Sequence, residues 1–524
     1  MFSTLIQTSA LLLSLHLIAT TLRSWHKLRD FPGPRLASFS NLWLFVSALS
    51  GKAYLHRMDL RRKYGRTPPS PVSSGTPVVG SIGISPLIRI GPDTLITDDP
   101  AIFKRINSPH GGYVRGDWYA VMRLDPYQDT LIASMNNKFH DDIRARTAAG
   151  ITGREVPGME DDIDGVVWDL ITLIESKYIS SSTADLSNHS SDGTKPLKSS
   201  RPMDWAPIAQ YFTLDALTKV AYRKDFGHLK TDSDVFAYLK TLQDMTLFIA
   251  VCSDIPWLGK IFLNKLSLWL IGPKVTDTKG AGAVMGVAKE VVGQRFETDP
   301  TGTEHQDMLS SFIRHGLPRR QCEAELPSQF VAGSDTTANI LRIGLFMAAT
   351  TPRVSSAIRR EIDEAVRSNR VSSPIASAEA KKLPYLQAFI WETLRLNPPV
   401  SLLFPKIVPP TGDTLGGKFV PSGTKIGVDF WSMGRCTDIF GDDPDTFRPE
   451  RFLEASAEKR DMMEKTTDLI FGYGRYRCLG RNMAWMEMEK VFVELVNPEV
   501  PFIRTHYALF LIKDMYMVVT KRQQ

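Results

Sequence analysis

The chain of 524 residues is 43% hydrophobic and 23% charged, which is typical of a globular protein and excludes a disordered or fibrous one. Its net charge of +6 is small for this length, and since no nucleic-acid motif accompanies it we expect no nucleic-acid partner. The cysteines Cys252, Cys322, Cys436 and Cys478 are scattered without a CxxC pair, which argues against a disulfide framework or a zinc finger. Such thiols are typical of a domain in reducing cytosol.

The N-terminus predicts a membrane anchor. Phe2–Leu22 contains no Asp, Glu, Lys or Arg and is long enough to cross a bilayer, and Arg23, Lys27 and Arg29 follow it. Because the basic cluster comes after the apolar segment, the positive-inside rule places the rest of the chain in the cytosol. The alternative is a cleaved signal peptide, but the basic region that should precede its apolar stretch is absent. We therefore expect residues 1–22 to form a single transmembrane helix.

A proline-rich segment follows the anchor. The Pro-Gly-Pro of FPGPRL, Phe31–Leu36, bars helix continuation, so residues 23–36 are predicted to be a hinge before a domain over 37–524. Within that domain, Arg66–Pro86 and Ser180–Ser200 are rich in Pro, Ser or Gly and predict exposed loops.

The remaining periodicities predict a mainly helical domain with small β-sheets. LIRIGPDTLIT alternates as a hairpin over Leu87–Thr97, and strand-like pieces cover Lys418–Val428 and Ala508–Thr520. No P-loop is present, and the glycine spacing GxGxxxxxG is wrong for a dinucleotide fingerprint. Helical periods cover Asp161–Tyr178, Phe212–Tyr222, Val235–Val251, Arg319–Ala349, Arg353–Val366, Leu386–Arg395 and Asn482–Val496.

The stretch FGYGRYRCLG places Cys478 in a loop that also carries glycines and arginines. On these residues alone, Cys478 is a buried thiol, a nucleophile or a metal ligand. The loop resembles the FxxGxRxCxG pattern of the cytochrome P450 family, and three more motifs match in the correct order. They are AGSDTT at Ala332–Thr337, WETLRL at Trp391–Leu396 and FRPERF at Phe447–Phe452. The resemblance covers the chain from Phe31 onward and implies the cytochrome P450 fold.

The resemblance implies haem b as cofactor, with Cys478 as the axial thiolate ligand of its iron. Phe471 would pack beneath the macrocycle. Gly474 and Gly480 would allow tight turns that direct backbone N–H groups at the sulfur, and Gly480 lies where a helix begins.

Asp335 and Thr336 resemble the acid–alcohol pair that relays protons during oxygen activation in this family. Ala332 and Gly333 would leave room for a diatomic molecule. Pro327 lies in the same predicted helix, removes a backbone donor and predicts a kink.

Two further sets of residues are assigned by the resemblance. Glu392, Arg395 and Arg451 would form a buried charge network that fixes the cysteine-loop region. The haem propionates need cationic or hydrogen-bonding partners. His140 and Arg144 of HDDIR and Lys406 of FPKIVPP are the predicted ones; they complete the set of expected site residues.

The loop departs from the family at one position. The arginine that stands two residues before the cysteine in the pattern is Tyr476 here, and Arg475 and Arg477 flank it. Tyr476 is a candidate hydrogen-bond partner of a propionate. Arg475 and Arg477 either take the propionate role or form a basic docking face for an acidic reductase.

We therefore expect a haem-thiolate monooxygenase that oxidises a lipophilic small molecule. The expected pocket walls are Val400–Phe404, Tyr113–Tyr127 and the helices around Phe248, which are apolar and aromatic. Since no flavin or nicotinamide domain is evident, electrons would come from NADPH–cytochrome P450 reductase at the endoplasmic reticulum membrane. The sequence around Asp204–Gly227 is similar to fungal members of the pisatin-demethylase and benzoate-hydroxylase type, which implies secondary metabolism.

Two alternatives remain open on the sequence. The same haem could catalyse rearrangement, coupling or desaturation without net oxygen insertion, which the mass of the product would reveal. The chain could also be an inactive haem-binding remnant. That alternative rests on the insert at Arg66–Pro86 and on Val493–Phe502, which looks short for the family.

Overall fold

The structure is a computed structural model that describes residues 7, 19–65, 85–180, 202–495, 503–506, 510–513, 515–517 and 519–520. Most of the predicted anchor lies outside these residues, as do nearly all of the two predicted loops and the segment 496–502. Within the described part, one helical stretch, Val235–Asp254, is long and apolar enough to cross a membrane by length and composition. It packs within the domain against Leu42–Leu49 and Asp117–Met122, so its apolar face has partners in the protein.

The domain is mainly helical, as predicted. The helices of its first part are α1 (including residues 19–27), α2 Leu42–Leu49, α3 Ala53–Tyr64, α4 Pro100–Asn107, α5 Asn137–Ile151, α6 Met159–Leu173, α7 Trp205–Tyr222, α8 His228–Thr231, α9 Tyr238–Asp254, α10 Pro256–Phe262, α11 Lys265–Ile271, α12 Gly280–Thr298 and α13 Met308–Arg314. The later helices are α14 Arg319–Phe330, α15 Thr336–Thr350, α16 Pro352–Arg367, α17 Ser377–Ala380, α18 Pro384–Leu396, α19 Phe430–Met433, α20 Thr437–Phe440, α21 Glu450–Glu454, α22 Ala457–Thr467 and α23 Arg481–Glu494.

The predicted long helix Arg319–Ala349 is interrupted. Its two α-helical parts, α14 and α15, are joined by a π-helical turn at Val331–Asp335, which begins four residues after Pro327. Proline has no N–H to give to the carbonyl one turn earlier, so hydrogen bonding in this region departs from the α pattern. Such π turns are frequent at functional sites, and this one contains most of the AGSDTT motif.

The largest sheet has four strands in the order β1 Leu87–Arg89, β2 Thr94–Thr97, β8 Lys425–Val428 and β5 Lys406–Ile407. The first two form the predicted hairpin, with Leu87 opposite Thr97. The strand-like segment predicted over Lys418–Val428 contains two short strands. β7 Lys418–Val420 pairs with β6 Asp413–Leu415, and Pro421, which cannot donate to a strand ladder, separates β7 from β8.

Short strands of the C-terminal part attach to distant elements. The pairs are β9 Ile503–His506 with β10 Phe510–Lys513, β4 Met203–Asp204 with β11 Tyr516–Met517, and β3 Ile179–Ser180 with β12 Val519–Thr520.

Helix α7 lies at the centre of the main core. Sixteen of its eighteen residues are buried, which is why its sequence shows no clean amphipathic period. It packs against α6, α15 and the π turn, and α15 packs in turn against α18 and α23. The helices that carry the candidate site motifs therefore share one core.

The segment predicted as a hinge is fastened to the sheet by Arg89. The fully buried Arg89 side chain donates to the carbonyl oxygens of Ser24 at 3.0 Å, Trp25 at 3.3 Å and Ser38 at 3.0 Å. Arg89 N–H also donates to the Pro32 carbonyl at 2.7 Å. These bonds link both sides of the Pro-Gly-Pro turn to β1.

Candidate active site

The cysteine loop is shaped by two glycines with left-handed backbone. Gly472 has φ of 78° and Gly474 has φ of 60°. A Cβ at Gly474 would lie 2.6 Å from the Asn107 carbonyl oxygen, and one at Gly472 would lie 2.6 Å from that of Tyr476. The turn closes with a 2.6 Å hydrogen bond from Cys478 N–H to the Phe471 carbonyl. The need for glycine at 474 agrees with the sequence prediction, whereas Gly472 was missed.

Gly480 plays a different part from the one predicted. Its φ is −81°, a conformation open to any residue, so no tight turn requires glycine here. A Cβ at this position would lie 4.0 Å from Cys478 Sγ, an ordinary contact. Gly480 is the residue immediately before α23, and the backbone N–H groups of Gly480 and Arg481 act to lower the pKa of the Cys478 thiol. The predicted helix start is therefore present, and hydrogen bonds from these N–H groups to the sulfur stay a prediction.

Cys478 is an exposed residue, yet protein surrounds its thiol, as expected for a sulfur at the edge of an internal space. This enclosure raises the pKa of its thiol. The two backbone N–H groups and the nearby Arg144 guanidinium act in the opposite direction by stabilising the thiolate. A positively charged metal ion at the sulfur would supply the remaining stabilisation.

The two arginines of the loop have different surroundings. Arg477 pairs with Asp468 at 2.8 Å and is nearly half exposed, and Arg481 contacts the same carboxylate at 2.6 Å. Arg475 is more buried and pairs with Asp141 at 3.2 Å. The positive charge of Arg475 helps to lower the pKa of Lys406, so Arg475 lies on the side of the predicted propionate partners. Arg477, in contrast, lies at the surface.

Buried cations converge on Tyr476. Lys406 Nζ lies 3.4 Å from the centroid of its ring, and the Arg115 guanidinium carbon lies 4.2 Å from it. The His140 ring meets Tyr476 edge-on at 4.9 Å. Lys406 also donates to the Tyr119 hydroxyl at 3.2 Å. Arg115 and Tyr119 lie in the predicted pocket wall Tyr113–Tyr127, but their contacts in this cluster were not predicted, because nothing local in the sequence marks this long-range meeting.

Lys406 and Arg115 have no carboxylate partner among the described residues, whereas His140 Nδ1 contacts Asp141 at 3.1 Å. Burial lowers the pKa of Lys406 well below its usual value, and the charge of Arg115 lowers it further. The same two causes lower the pKa of His140 to about 4, although Asp141 opposes them. Arg115 Nε is buried without a hydrogen-bond partner. Such a cluster is costly unless a buried anion completes it, so it fits the two propionates of a haem.

Arg144 is half-buried and lies near Cys478. Burial lowers its pKa, while the nearby Cys478 raises it. Together with His140, it sits on α5, one helical turn apart, as predicted.

The acid and the alcohol of the AGSDTT motif, Asp335 and Thr336, face different surroundings. Thr336 Oγ1 donates to the Ala332 carbonyl at 2.7 Å, on the accessible side of the π turn. Asp335 is buried against α7, where Oδ1 accepts from Gln210 at 3.0 Å. Its Oδ2 is buried without a hydrogen-bond partner in the described structure. Burial raises the pKa of Asp335 to about 6, although Arg342 and Gln210 oppose the rise.

Gly333 does not provide the open space predicted for it. A Cβ at this position would come within 3.0 Å of Leu217 Cδ2, so glycine here allows α7 to approach the π turn closely. Ala332, which is exposed to solvent in the described structure, is the small residue on the accessible side.

Glu487 is a buried carboxyl that the sequence reasoning missed. It lies on α23 with 1% exposure, and its hydrogen-bond partner is Thr337 of α15. Burial raises its pKa well above the usual value. The sequence signal that could have revealed this buried carboxyl was a single Glu among the Met and Trp residues of MAWMEM.

The predicted charge network is present and buried. Glu392 accepts from Arg395 at 2.6 and 2.8 Å and from Arg451 at 3.0 Å. The two guanidinium groups also donate to the carbonyls of Gly434, Phe440, Pro444 and Thr446. The network thus ties α18 to the loops before α21.

The three predicted pocket walls meet in one apolar cluster. Trp118 and Phe404 lie 5.5 Å apart between ring centroids, and Phe248, Val400 and Leu402 belong to the same cluster. The described side chains here are aromatic, aliphatic or methionine, which suits a lipophilic ligand.

Comparisons with known proteins agree with this geometry. The family model described as Cytochrome P450 matches residues 94–497. Cytochrome P450 monooxygenase ABA1 of Pyricularia oryzae (strain 70-15) is 40% identical over 97% of this chain and 95% of its own length. Cytochrome P450 monooxygenase aba1 of Botryotinia fuckeliana (strain B05.10) is 38% identical over 95% and 92%, respectively.

The fold has a counterpart among solved structures. The crystal structure of a cytochrome P450 (CYP102L1) covers 94% of this chain and 99% of its own with a TM-score of 0.67 at 17% identity, which is a likeness of fold. This chain therefore belongs to the cytochrome P450 family of haem-b monooxygenases.

Proposed function

We propose that this enzyme is a haem-thiolate monooxygenase in which Cys478 is the axial iron ligand. The observation that carries the proposal is the position of Cys478, which is exposed and lies just before the start of α23, where two backbone N–H groups and Arg144 act to lower the pKa of its thiol. The haem supplies reductive activation of dioxygen when it is bound. The protein's own residues hold and orient the haem and deliver protons to the site of oxygen activation.

Binding of the cofactor is assigned to three sets of residues. Arg115, Arg144 and Lys406 would take the propionates, because they are cations without an ion pair to a carboxylate in the described structure. His140, whose Nδ1 contacts Asp141 at 3.1 Å, would add a hydrogen bond. Phe471, Gly474 and Gly480 shape the loop that presents the sulfur. The network of Glu392, Arg395 and Arg451 keeps the neighbouring loops in place.

Proton delivery is assigned to Asp335 and Thr336. A carboxyl with a pKa near 6 can exchange protons close to neutral pH, and the adjacent hydroxyl lies on the accessible side of the helix. Asp335 must turn, or pass its proton through water, to serve that hydroxyl, because its present contacts lie toward α7.

The substrate class is a lipophilic small molecule. The meeting of Trp118, Phe248, Leu402 and Phe404 in one apolar cluster supports this assignment. The fungal sources of the similar monooxygenases support a place in fungal secondary metabolism. NADPH–cytochrome P450 reductase is the proposed electron donor.

We assign the enzyme to the endoplasmic reticulum membrane, with its catalytic domain in the cytosol. Besides the apolar N-terminal sequence, a group of side chains on α10 and α11 supports this. Trp257, Leu266, Trp269 and Ile271 are between 60% and 74% exposed, an arrangement that monomeric soluble proteins rarely show. Aromatic and aliphatic residues of this kind favour the membrane interface.

The test is the carbon-monoxide difference spectrum of the dithionite-reduced, membrane-expressed protein. We expect a strongly red-shifted Soret band, which Cys478→Ala should abolish. Cys322→Ala is the matched control, since that thiol is fully buried elsewhere and should keep the band. A band at the shorter wavelength of histidine- or thiol-ligated haem in the unaltered protein would contradict thiolate ligation by Cys478. Absence of haem despite good expression would contradict the proposed function.

A further inference from the structure

The Tyr476 ring is fixed in place at the centre of a buried cationic cluster. Its hydroxyl donates to Asn137 Oδ1 at 2.9 Å, which ties it to the first turn of α5. Lys406 Nζ and the Arg115 guanidinium both lie within 4.2 Å of the ring centroid. The His140 ring completes the contacts from the edge. One aromatic ring thus touches three groups that carry or can carry positive charge.

The two cations have few other means of stabilisation. Lys406 is 1% exposed and donates only to the Tyr119 hydroxyl among the described residues. Arg115 donates to the carbonyls of Leu131 and Ser134 at 2.9 and 3.2 Å. Neither forms an ion pair with a carboxylate in the described part of the chain. The faces of Tyr476 and Tyr119 are therefore their main electrostatic support, since an aromatic face attracts desolvated cations.

The charge balance explains why an arginine is absent from position 476. A haem brings two carboxylates, which Arg115 and Lys406 alone can neutralise. Arg144 is a further cation nearby, and Arg475 is already neutralised by Asp141. An arginine at 476 would add a cation without a partner, whereas tyrosine adds no charge and stabilises two cations that are present.

We propose that Tyr476 is a positioning residue for haem, whose ring holds Arg115 and Lys406 where the propionates bind. This inference rests on the proposed haem site. The propionate contact itself is made by the cations, and Tyr476 acts through them. The position that usually adds a charge in this family's loop pattern would here organise charges supplied by two distant segments.

The test measures haem loss from purified holoenzyme to excess apomyoglobin, followed at the Soret band. Tyr476→Phe keeps the ring and should lose haem within about twofold of the wild-type rate. Tyr476→Leu removes the ring and should lose haem about 10- to 100-fold faster. Tyr476→Arg should also be at least about tenfold faster, because it adds a cation. The proposal is overturned if Phe is as poor as Leu, or if Arg retains haem as well as Tyr.

A charge-swap variant separates positioning from a general packing role. In Tyr476→Arg with Lys406→Leu, the number of cations is that of the wild type, so haem retention should recover at least partly. A packing role alone would make the two changes additive, which would refute the proposal. If Tyr476→Leu yields no folded holoenzyme, Phe, Arg and the charge swap still decide. The wild-type carbon-monoxide spectrum checks the haem site independently, so failure of that site would be recognised separately.

Discussion

The carboxyl group of Asp335 is held where ionisation is unfavourable. Burial raises its pKa from 3.8 to about 6, and Oδ2 has no hydrogen-bond partner in the described structure. A carboxyl whose pKa is higher in the folded state than in the unfolded state stabilises the fold below the unfolded value. That contribution is lost as the pH rises through the folded pKa, so it decreases between about pH 4 and 6.

Asp335→Asn should therefore raise stability and lower activity together. The neutral amide can still accept from Gln210, so at pH 7.5 the free energy of unfolding should increase by on the order of 2 kcal/mol. Near pH 4 the two proteins should be similar. Substrate oxidation should fall by about 100-fold or more, since a proton donor is lost. Urea unfolding at both pH values and product formation measure the two effects.

Asp161→Asn, on the exposed face of α6, is the matched control and should change neither quantity. An Asp335→Asn protein with unaltered oxidation would refute the assigned proton transfer. One that is less stable at pH 7.5 than the wild type would show that Asp335 is held by interactions favouring its charge.

At the scale of elements, the approach of α15 to α23 depends on a missing side chain. A Cβ at Gly344 would overlap the ring of Phe492. Glycine in a helix normally costs stability relative to alanine, so its presence at the middle of α15 marks a packing requirement. The contact matters for the site because α15 begins at Thr336 of the AGSDTT motif and α23 begins next to Cys478.

Gly344→Ala should destabilise the protein by about 1 to 3 kcal/mol, because the added methyl forces the two helices apart. Gly165→Ala is the matched control. It lies inside α6 with no atom near its would-be Cβ, so it should stabilise by up to about 1 kcal/mol. Thermal unfolding of both variants checks this pair. Adding Phe492→Leu to Gly344→Ala should recover part of the loss; equal stability of the two glycine variants would disprove the packing argument.

The sequence predicted the elements with strong periodicity and the motifs with fixed spacing. Glu392 and Arg395 are three residues apart on one helix, so their pairing follows from local geometry, and Cys478 lies in a loop whose glycine at 474 fixes the turn. It missed what depends on distant contacts. Arg115 meets Tyr476 only after the chain folds, and Gly333 is required by Leu217 of another helix rather than by a ligand.

At the scale of the whole molecule, the exposed apolar residues of α10 and α11 predict membrane binding that does not need the N-terminal segment. A protein lacking residues 1–22 should still bind neutral phosphatidylcholine vesicles. Trp269→Glu should weaken that binding by about tenfold, because a 74% exposed indole is replaced by a charge. Vesicle flotation measures the bound fraction.

Val366→Glu is the control for this experiment, since it places the same charge at an isolated exposed apolar residue on α16. It should leave vesicle binding unchanged. Equal loss in both variants would mean that binding reflects net charge, and no binding by the shortened protein would assign attachment to the N-terminal segment alone.

Arg89 connects the N-terminal helix α1 rigidly to the four-stranded sheet. Its side chain donates hydrogen bonds to the carbonyl oxygens of Ser24, Trp25 and Ser38, so α1 and β1 are rigidly connected. A movement of residues 19–27 should therefore also move the four-stranded sheet, whose edge strand β5 contains Lys406. Any surface that binds α1 therefore also sets the orientation of the catalytic domain relative to that surface.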